Sequence, residues 1–181
     1  MKNLLIAFVL SFLVAAPAMA KPGKPAEDSI VTTAVEDGRF TILVDLVVAA
    51  GLAGVLDEDG QFTVFAPTDG AFEEAFFPGV TADDIVGVLT ANCSDVVASA
   101  QNILLHHVAN GRRWSNSVVG NNTKPIRTLN GERIWVRSDF SIRDASDGTE
   151  ADIVIPDVNA SNGIIHAIDF VLVPSSGFCA E

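Results

Sequence analysis

Tyrosine is absent from this 181-residue chain, and cysteine and histidine are scarce, at two and three residues. A zinc centre needs three or four ligands with tetrahedral reach. Three histidines, two of them adjacent, do not supply one, so no metal site is expected. Basic residues are also few, 11 against 23 acidic, for a formal net charge of −12. That balance favours solubility and argues against duplex nucleic acid, which calls for a cationic footprint. There is no Gly-x-Ser-x-Gly elbow to organise a serine nucleophile. The acidic stretch Asp144, Asp147, Gly148, Glu150 and Asp152 lacks EF-hand spacing and its terminal glutamate, and reads as a solvated hairpin turn. Neither an enzyme nor a bound cofactor is expected.

Apolar runs long enough to span a bilayer are missing too. Lys2, an apolar stretch over 4–14 and Ala18-Met19-Ala20 form a cleaved secretory signal over 1–20. Its loss removes Lys2 and takes the net charge to −13. No cysteine follows the cleavage point to accept lipid, and no hydrophobic tail follows Ser175. The expected product is secreted, extracellular or periplasmic, with no integral membrane segment. Residues 21–27 are a Pro/Gly/Lys-rich lead-in, 28–175 are one domain of ordinary size, and 176–181 are a tail. Cys93 and Cys179 face an oxidising compartment, where one disulfide is the economical reading and two separate thiols the alternative.

The first half of the domain is helical in pattern. Asp28 or Ser29 caps a helix carrying Val31, Ala34 and Val35, and Phe40, Leu43, Val44, Val47 and Val48 recur at helical spacing. Residues 62–66 have strand character. Thr68 or Asp69 caps a short helix, Thr81 another with Ile85, Val88 and Leu89 inward, and Ser94 or Asp95 a third reaching about Val108. On that third helix His107 shares the apolar face and His106 lies on the flank. The second half reads as strands, over 153–158, 163–167 and 170–173, with Phe140 and Ile142 alternating with polar neighbours. Asn130-Gly131 suits a two-residue type I′ hairpin. Helices first and strands later imply α+β, with helices packed on a mostly antiparallel sheet or sandwich.

Three segments in order carry a specific resemblance. Phe62-Thr-Val-Phe-Ala-Pro-Thr-Asp-Gly-Ala-Phe72 runs from a strand through Ala-Pro-Thr-Asp into a helix; Ile103-Leu-Leu-His-His-Val108 follows; Asn162-Gly-Ile-Ile-His-Ala-Ile-Asp-Phe-Val-Leu-Val-Pro174 comes last. Together they resemble the signature boxes of the fasciclin domain family. The resemblance implies a wedge of sheet and helices and a role in cell–cell or cell–matrix adhesion through protein contact. It makes His106 and His107 candidate partner-binding residues, together with Asp157 and Val158 of the Pro-Asp-Val segment upstream of the last box. His106 stands where the family has tyrosine, which departs from the receptor-binding pattern of animal members. His107 and His166 also suit plain core positions, hydrogen-bonded within the fold.

Charge is segregated. Residues 112–143 hold Arg112, Arg113, Lys124, Arg127, Arg133, Arg137 and Arg143 against only Glu132 and Asp139. A type I′ register places Arg133 opposite Thr128, Trp135 opposite Ile126 and Arg137 opposite Lys124. Lys124, Arg133, Trp135 and Arg137 then share a cationic face. Such a face suits an acidic partner, an anionic polysaccharide or the acidic remainder of another copy, and is equally readable as a solvated edge hairpin. The expectation is an exported adhesion module contacting extracellular or envelope proteins. The alternative is an envelope carbohydrate- or small-ligand-binding protein.

Overall fold

The computed structural model describes residues 28–57, 60–119, 124–144 and 150–179. The signal segment, the lead-in, Asp147, Gly148 and the last two residues of the tail lie outside the described residues.

Local chemistry sets the helices. The Ser29 hydroxyl accepts the Thr32 amide at 3.2 Å, and Gly38, at φ 74°, ends α1 (Ile30–Asp37). Next come α2 (Thr41–Ala49), α3 (Ala53–Asp57) and β1 (Phe62–Pro67). Thr68 caps α4 (Asp69–Ala75), and Thr81 with Asp84 forms a reciprocal capping box on α5 (Ala82–Asn92). Asp95 caps α6 (Val96–His106). The remainder is β2 (Val108–Asn110), α7 (Ser115–Val118), β3 (Lys124–Arg127), β4 (Arg133–Val136), β5 (Ser141–Arg143), β6 (Glu150–Ala160) and β7 (Gly163–Ile168). The α+β class holds, with helices mainly in the N-terminal half.

One seven-stranded sheet runs β2-β1-β7-β6-β5-β4-β3. Every neighbouring pair is antiparallel except β1–β7, which is parallel from Phe62↔Gly163 to Pro67↔Ile168. The two ends of the sheet meet, for Ala109 bridges Thr128 and the Leu129 amide donates to the Val108 carbonyl at 2.7 Å. The sheet therefore curls almost into a barrel. Its alternating side chains divide the core: Val64, Ala66, Ile165 and Ala167 face the helices with Phe40 and Leu104, whereas Phe65, Ile126, Ile134, Ile142 and Ile168 fill the curl. Cys93 and Cys179 form a disulfide, with Cα atoms 5.2 Å apart, fastening the end of the chain to the α5–α6 corner. Closing a loop of 86 residues is worth about 4 to 5 kcal/mol on the chain-entropy model.

The polar residues of the boxes hold helices. Asn162 Oδ1 accepts the Ile30 amide at 2.8 Å, while its Nδ2 donates to the Leu56 carbonyl at 2.6 Å. One side chain so joins the start of α1 to the end of α3. Asp69 does the same for α2, accepting the Ile42 amide at 2.9 Å and the Thr41 hydroxyl at 2.8 Å.

Several sequence expectations are corrected. Val35 (56% exposed) and Val88 (39%) face solvent; Ile30 and Ala34, and Ile85 and Leu89, occupy the buried faces of their helices. Residues 170–173 form no strand, because the Leu172 amide goes to His107 and the Val173 amide to Asp144. The hairpin turn is not type I′, which needs positive φ at both central residues. Gly131 has φ 96° but Asn130 does not, since its side chain accepts the Thr128 hydroxyl and the Glu132 amide. Thr128 N donates to Glu132 O at 3.1 Å, leaving a three-residue loop. The register moves by one: Lys124 pairs with Val136, Pro125 with Trp135, Ile126 with Ile134 and Arg127 with Arg133.

Gly163 shows how closely the layers approach. A Cβ there would sit 2.3 Å from the Phe62 carbonyl oxygen and 2.5 Å from Ile30 Cδ1. The carbonyl belongs to the parallel ladder and cannot withdraw without opening it. Gly163→Ala is expected to destabilise the fold by about 3 kcal/mol, at the upper end of overpacking costs, seen as a lower urea midpoint. An unchanged midpoint would refute this close approach.

Candidate functional site

From Ile153 onward β6 is irregular, with register shifts against β7 between Ile153 and Ile155 and between Ile155 and Val158. Asp157 lies in the second shift with φ 63°, a left-handed conformation that aspartate tolerates better than most residues. Its carboxylate accepts the Ser115 amide at 2.6 Å and the Ser115 hydroxyl. An anion thus meets the free amides opening α7. Its own amide donates to His166 Nδ1 at 3.2 Å, and His166 Nε2–H donates to the Arg113 carbonyl at 2.9 Å.

The chain from Arg113 to Ser115 is consequently tied on both sides of Trp114, which remains 39% exposed. Arg112 extends the anchorage, with NH1 on Asn159 Oδ1 at 3.0 Å and NH2 on the carbonyls of Ala160 and Ser161, at 2.5 and 2.9 Å. Serine, histidine and aspartate meet here, yet the hydrogen bonds do not form a catalytic relay. The Ser115 hydroxyl gives its proton to Asp157, and both ring nitrogens of His166 are engaged by backbone groups. No imidazole nitrogen is left to receive the serine proton.

His106 and His107, candidate contact residues, are both buried, and neither presents surface to a partner. Burial follows from position: they end α6 where it meets β2 and the β3–β4 loop. His107 Nδ1–H donates to the Ile103 carbonyl at 2.8 Å, and its Nε2 accepts the Leu172 amide at 3.0 Å. The neutral ring thereby joins α6 to the last box. His106 Nδ1 lies 3.3 Å from Asn130 Oδ1 and 4.0 Å from the Glu132 carboxylate, and its buried Nε2 has no hydrogen-bond partner among the described residues. Asp157 and Val158 are half-buried, with Asp157 committed to Ser115.

The corrected register regroups the cationic candidates. Arg133 and Trp135 stay on one outward face, joined by Pro125, Arg127 and Arg143, whereas Ile126 turns into the core. Arg137 is bonded to Glu150 at 2.7 Å. Sequence reasoning missed Trp114, although an aromatic directly after Arg112-Arg113 was the available signal. It missed Arg127 through the one-residue slip, and Arg143 because the β4–β5 pairing was not anticipated. Among the described residues no helix is long and apolar enough to cross a membrane, and no group of three or more His, Cys, Asp or Glu is placed to hold a metal. Between α1, α2, α3 and β1 lies a cavity of about 40 Å³ with apolar walls, touched by the fully engaged His107.

A curled sheet whose buried polar groups are spent on anchoring helices and holding surface loops defines an α+β domain of helices packed on a near-barrel. The fasciclin domain model matches residues 38–174, and the chain belongs to the fasciclin domain family. It is similar to an uncharacterized protein, sll1735, of Synechocystis sp., 37% identical over 148 residues covering 80% of this chain and 97% of that one. It also resembles the immunogenic protein MPB70 of Mycobacterium bovis, at 30% identity over 87% of this chain and 78% of that one. Human periostin is 28% identical over 84% of this chain, which spans only 17% of periostin. Among solved structures, a FAS1 domain pair from the insect cell adhesion molecule Fasciclin I aligns with TM-score 0.67 and 17% identity, over 83% of this chain and 52% of that one. That likeness establishes the shared fold.

Burial lowers the His107 pKa from 6.5 to about 3 and also pushes His166 downward. The unfolded chain therefore binds more protons between about pH 3 and 6.5, and stability falls as pH drops through that window. His107 alone should cost about 2 kcal/mol between pH 7 and 5. Urea unfolding at the two pH values measures it, and His107→Gln should remove much of the difference. A pH-independent midpoint would show that the ring is not held neutral.

Proposed function

We propose that this protein is an exported adhesion module, making non-covalent cell–cell or cell–matrix contacts by protein recognition centred on Trp114. The observation that carries the reading is the fixation of the backbone on both sides of this exposed indole. His166 holds the carbonyl before it, and Asp157 holds the amide and hydroxyl after it. A partly exposed tryptophan on a tied backbone presents a large apolar ring with only two side-chain torsions left to order on contact, which is why such residues serve as interface anchors. Exposed Pro156 and half-buried Val158 flank Asp157, so they widen the same surface. Asp157 acts here as a positioning residue, and His106 and His107 act on the scaffold.

Membership of the fasciclin domain family and the fold shared with an insect cell adhesion molecule support adhesion as the general role. Export rests on the leader over 1–20 and on the Cys93–Cys179 disulfide, which persists in an oxidising compartment. The mechanism involves no covalent step, and the partners are envelope or extracellular proteins.

The test uses the purified exported protein as bait in extracts of cell envelope and extracellular material. Trp114→Ala should weaken retention of the captured proteins about 30-fold, the scale of an interface hot spot, with the melting temperature nearly unchanged. Equal retention by the variant sinks the tryptophan anchor, and capture of polysaccharide alone sinks protein recognition.

A further inference from the structure

We infer that the outward face of β3, β4 and β5 is a binding site for an acidic polysaccharide, gripped by Arg127, Arg133 and Arg143 around Trp135. The inference goes beyond the protein-contact reading, and concerns a face of the sheet that Trp114 does not share.

The face follows from the register. Arg127 stands directly opposite Arg133, and Trp135 stands opposite both Pro125 and Arg143. All five side chains point away from the curl filled by Ile126, Ile134 and Ile142. Like charges directly opposite one another destabilise a sheet, so the Arg127–Arg133 pair is a local cost that packing does not explain. Among the described residues, Arg137 is satisfied by Glu150, and none of Arg127, Arg133 and Arg143 enters an ion pair. Three guanidinium groups outside any ion pair therefore surround one half-buried indole in a chain of net charge −12, and Glu150, opposite Arg143, is already bonded to Arg137.

Sheet geometry sets the footprint. Strands lie about 4.8 Å apart and two residues along a strand span about 7 Å. The Cα atoms of Arg133 and Arg143 are thus about 8 Å apart, and those of Arg127 and Arg143 about 12 Å. Long, flexible arginines on that grid can each fork onto a separate carboxylate or sulfate of one extended chain. The indole between them offers an apolar platform for a sugar ring. A protein partner of standard size would need an apolar centre to its contact; here, among the described residues, Trp135 and Pro125 are the only apolar residues of the face. Because the rest of the molecule is acidic, attraction acts only within about a Debye length, about 8 to 10 Å at ordinary salt. The ligand must lie directly on the arginines, and its binding must weaken as salt rises.

The test titrates the purified exported protein with polygalacturonate, dextran sulfate and neutral dextran, at low and near-physiological salt. Binding to one or both anionic polymers but not to neutral dextran is expected, and which of the two binds separates carboxylate from sulfate recognition. Arg127→Glu with Arg133→Glu should weaken it about 100-fold, roughly tenfold per charge-assisted contact, and flatten the salt dependence. Trp135→Ala should weaken it without changing the salt dependence. Arg127→Lys with Arg133→Lys keeps the charge but not the fork and should give an intermediate loss, which preserves the test should the reversal variant fail to fold. Equal affinity in all variants overturns the site, as does equal binding of neutral dextran. Sedimentation in parallel detects a second copy on this face: loss of self-association with polymer binding intact also overturns it. The Trp114 retention assay is unaffected by any of these outcomes.

Discussion

The parallel pairing of β1 with β7 is the constraint from which the rest of the molecule follows. The two strands come from segments about a hundred residues apart and are buried on both faces. Their pairing needs close approach at its start, where Gly163 lies against the Phe62 carbonyl and Ile30. The ends of the pair then organise the helices. Asn162 binds α1 and α3, Thr68 caps α4, Asp69 caps α2, and the segment after β7 is tied to α6 through His107. Each contact satisfies helix-end or loop backbone groups that would be costly to bury alone. The helices are therefore placed by the strands they cover, and the apolar layer between them forms in consequence.

The same economy explains how the buried titratable groups are spent on the fold. His107 and His166 each have both ring nitrogens engaged, and Asp157 spends its carboxylate on the first turn of α7. Neutral rings in apolar surroundings hold the fold without the desolvation cost of a charge. What remains is surface: an exposed indole on tied backbone at the start of α7, and an arginine grid on the hairpin side of the sheet. On the readings proposed above, these two features call for different partners, since a tryptophan on a tied backbone suits a shaped protein contact and the grid suits an extended anion.

Much of this was legible in the residues because it rests on local rules. Ser29, Thr68, Thr81 and Asp95 announce helix starts, since a short oxygen-bearing side chain can reach its own free amides. The apolar runs of β1 and β7 read as buried strands. Failures came where a distant partner took a backbone group. Residues 170–173 have strand composition, but His107 and Asp144 claim their amides. Asn130-Gly131 has the composition of a tight two-residue turn, but the asparagine side chain closes a wider one through Thr128 and Glu132. That single residue of slip moved Ile126 from the surface to the core and brought in Arg127.

By itself the sequence determined the family, the α+β order and the cysteine pair, since motifs, periodicity and composition are properties of the chain. Tertiary structure decided which polar groups are spent and which are offered. His106 and His107 went inside because α6 ends against β2 and the closing hairpin, a contact across the curl that no local pattern records. Trp114 became a fixed surface residue only because β6 shifts register beside it and turns Asp157 toward Ser115. Burial and exposure are set by what lies opposite in space, and for this chain that depends on one pairing between strands far apart in sequence.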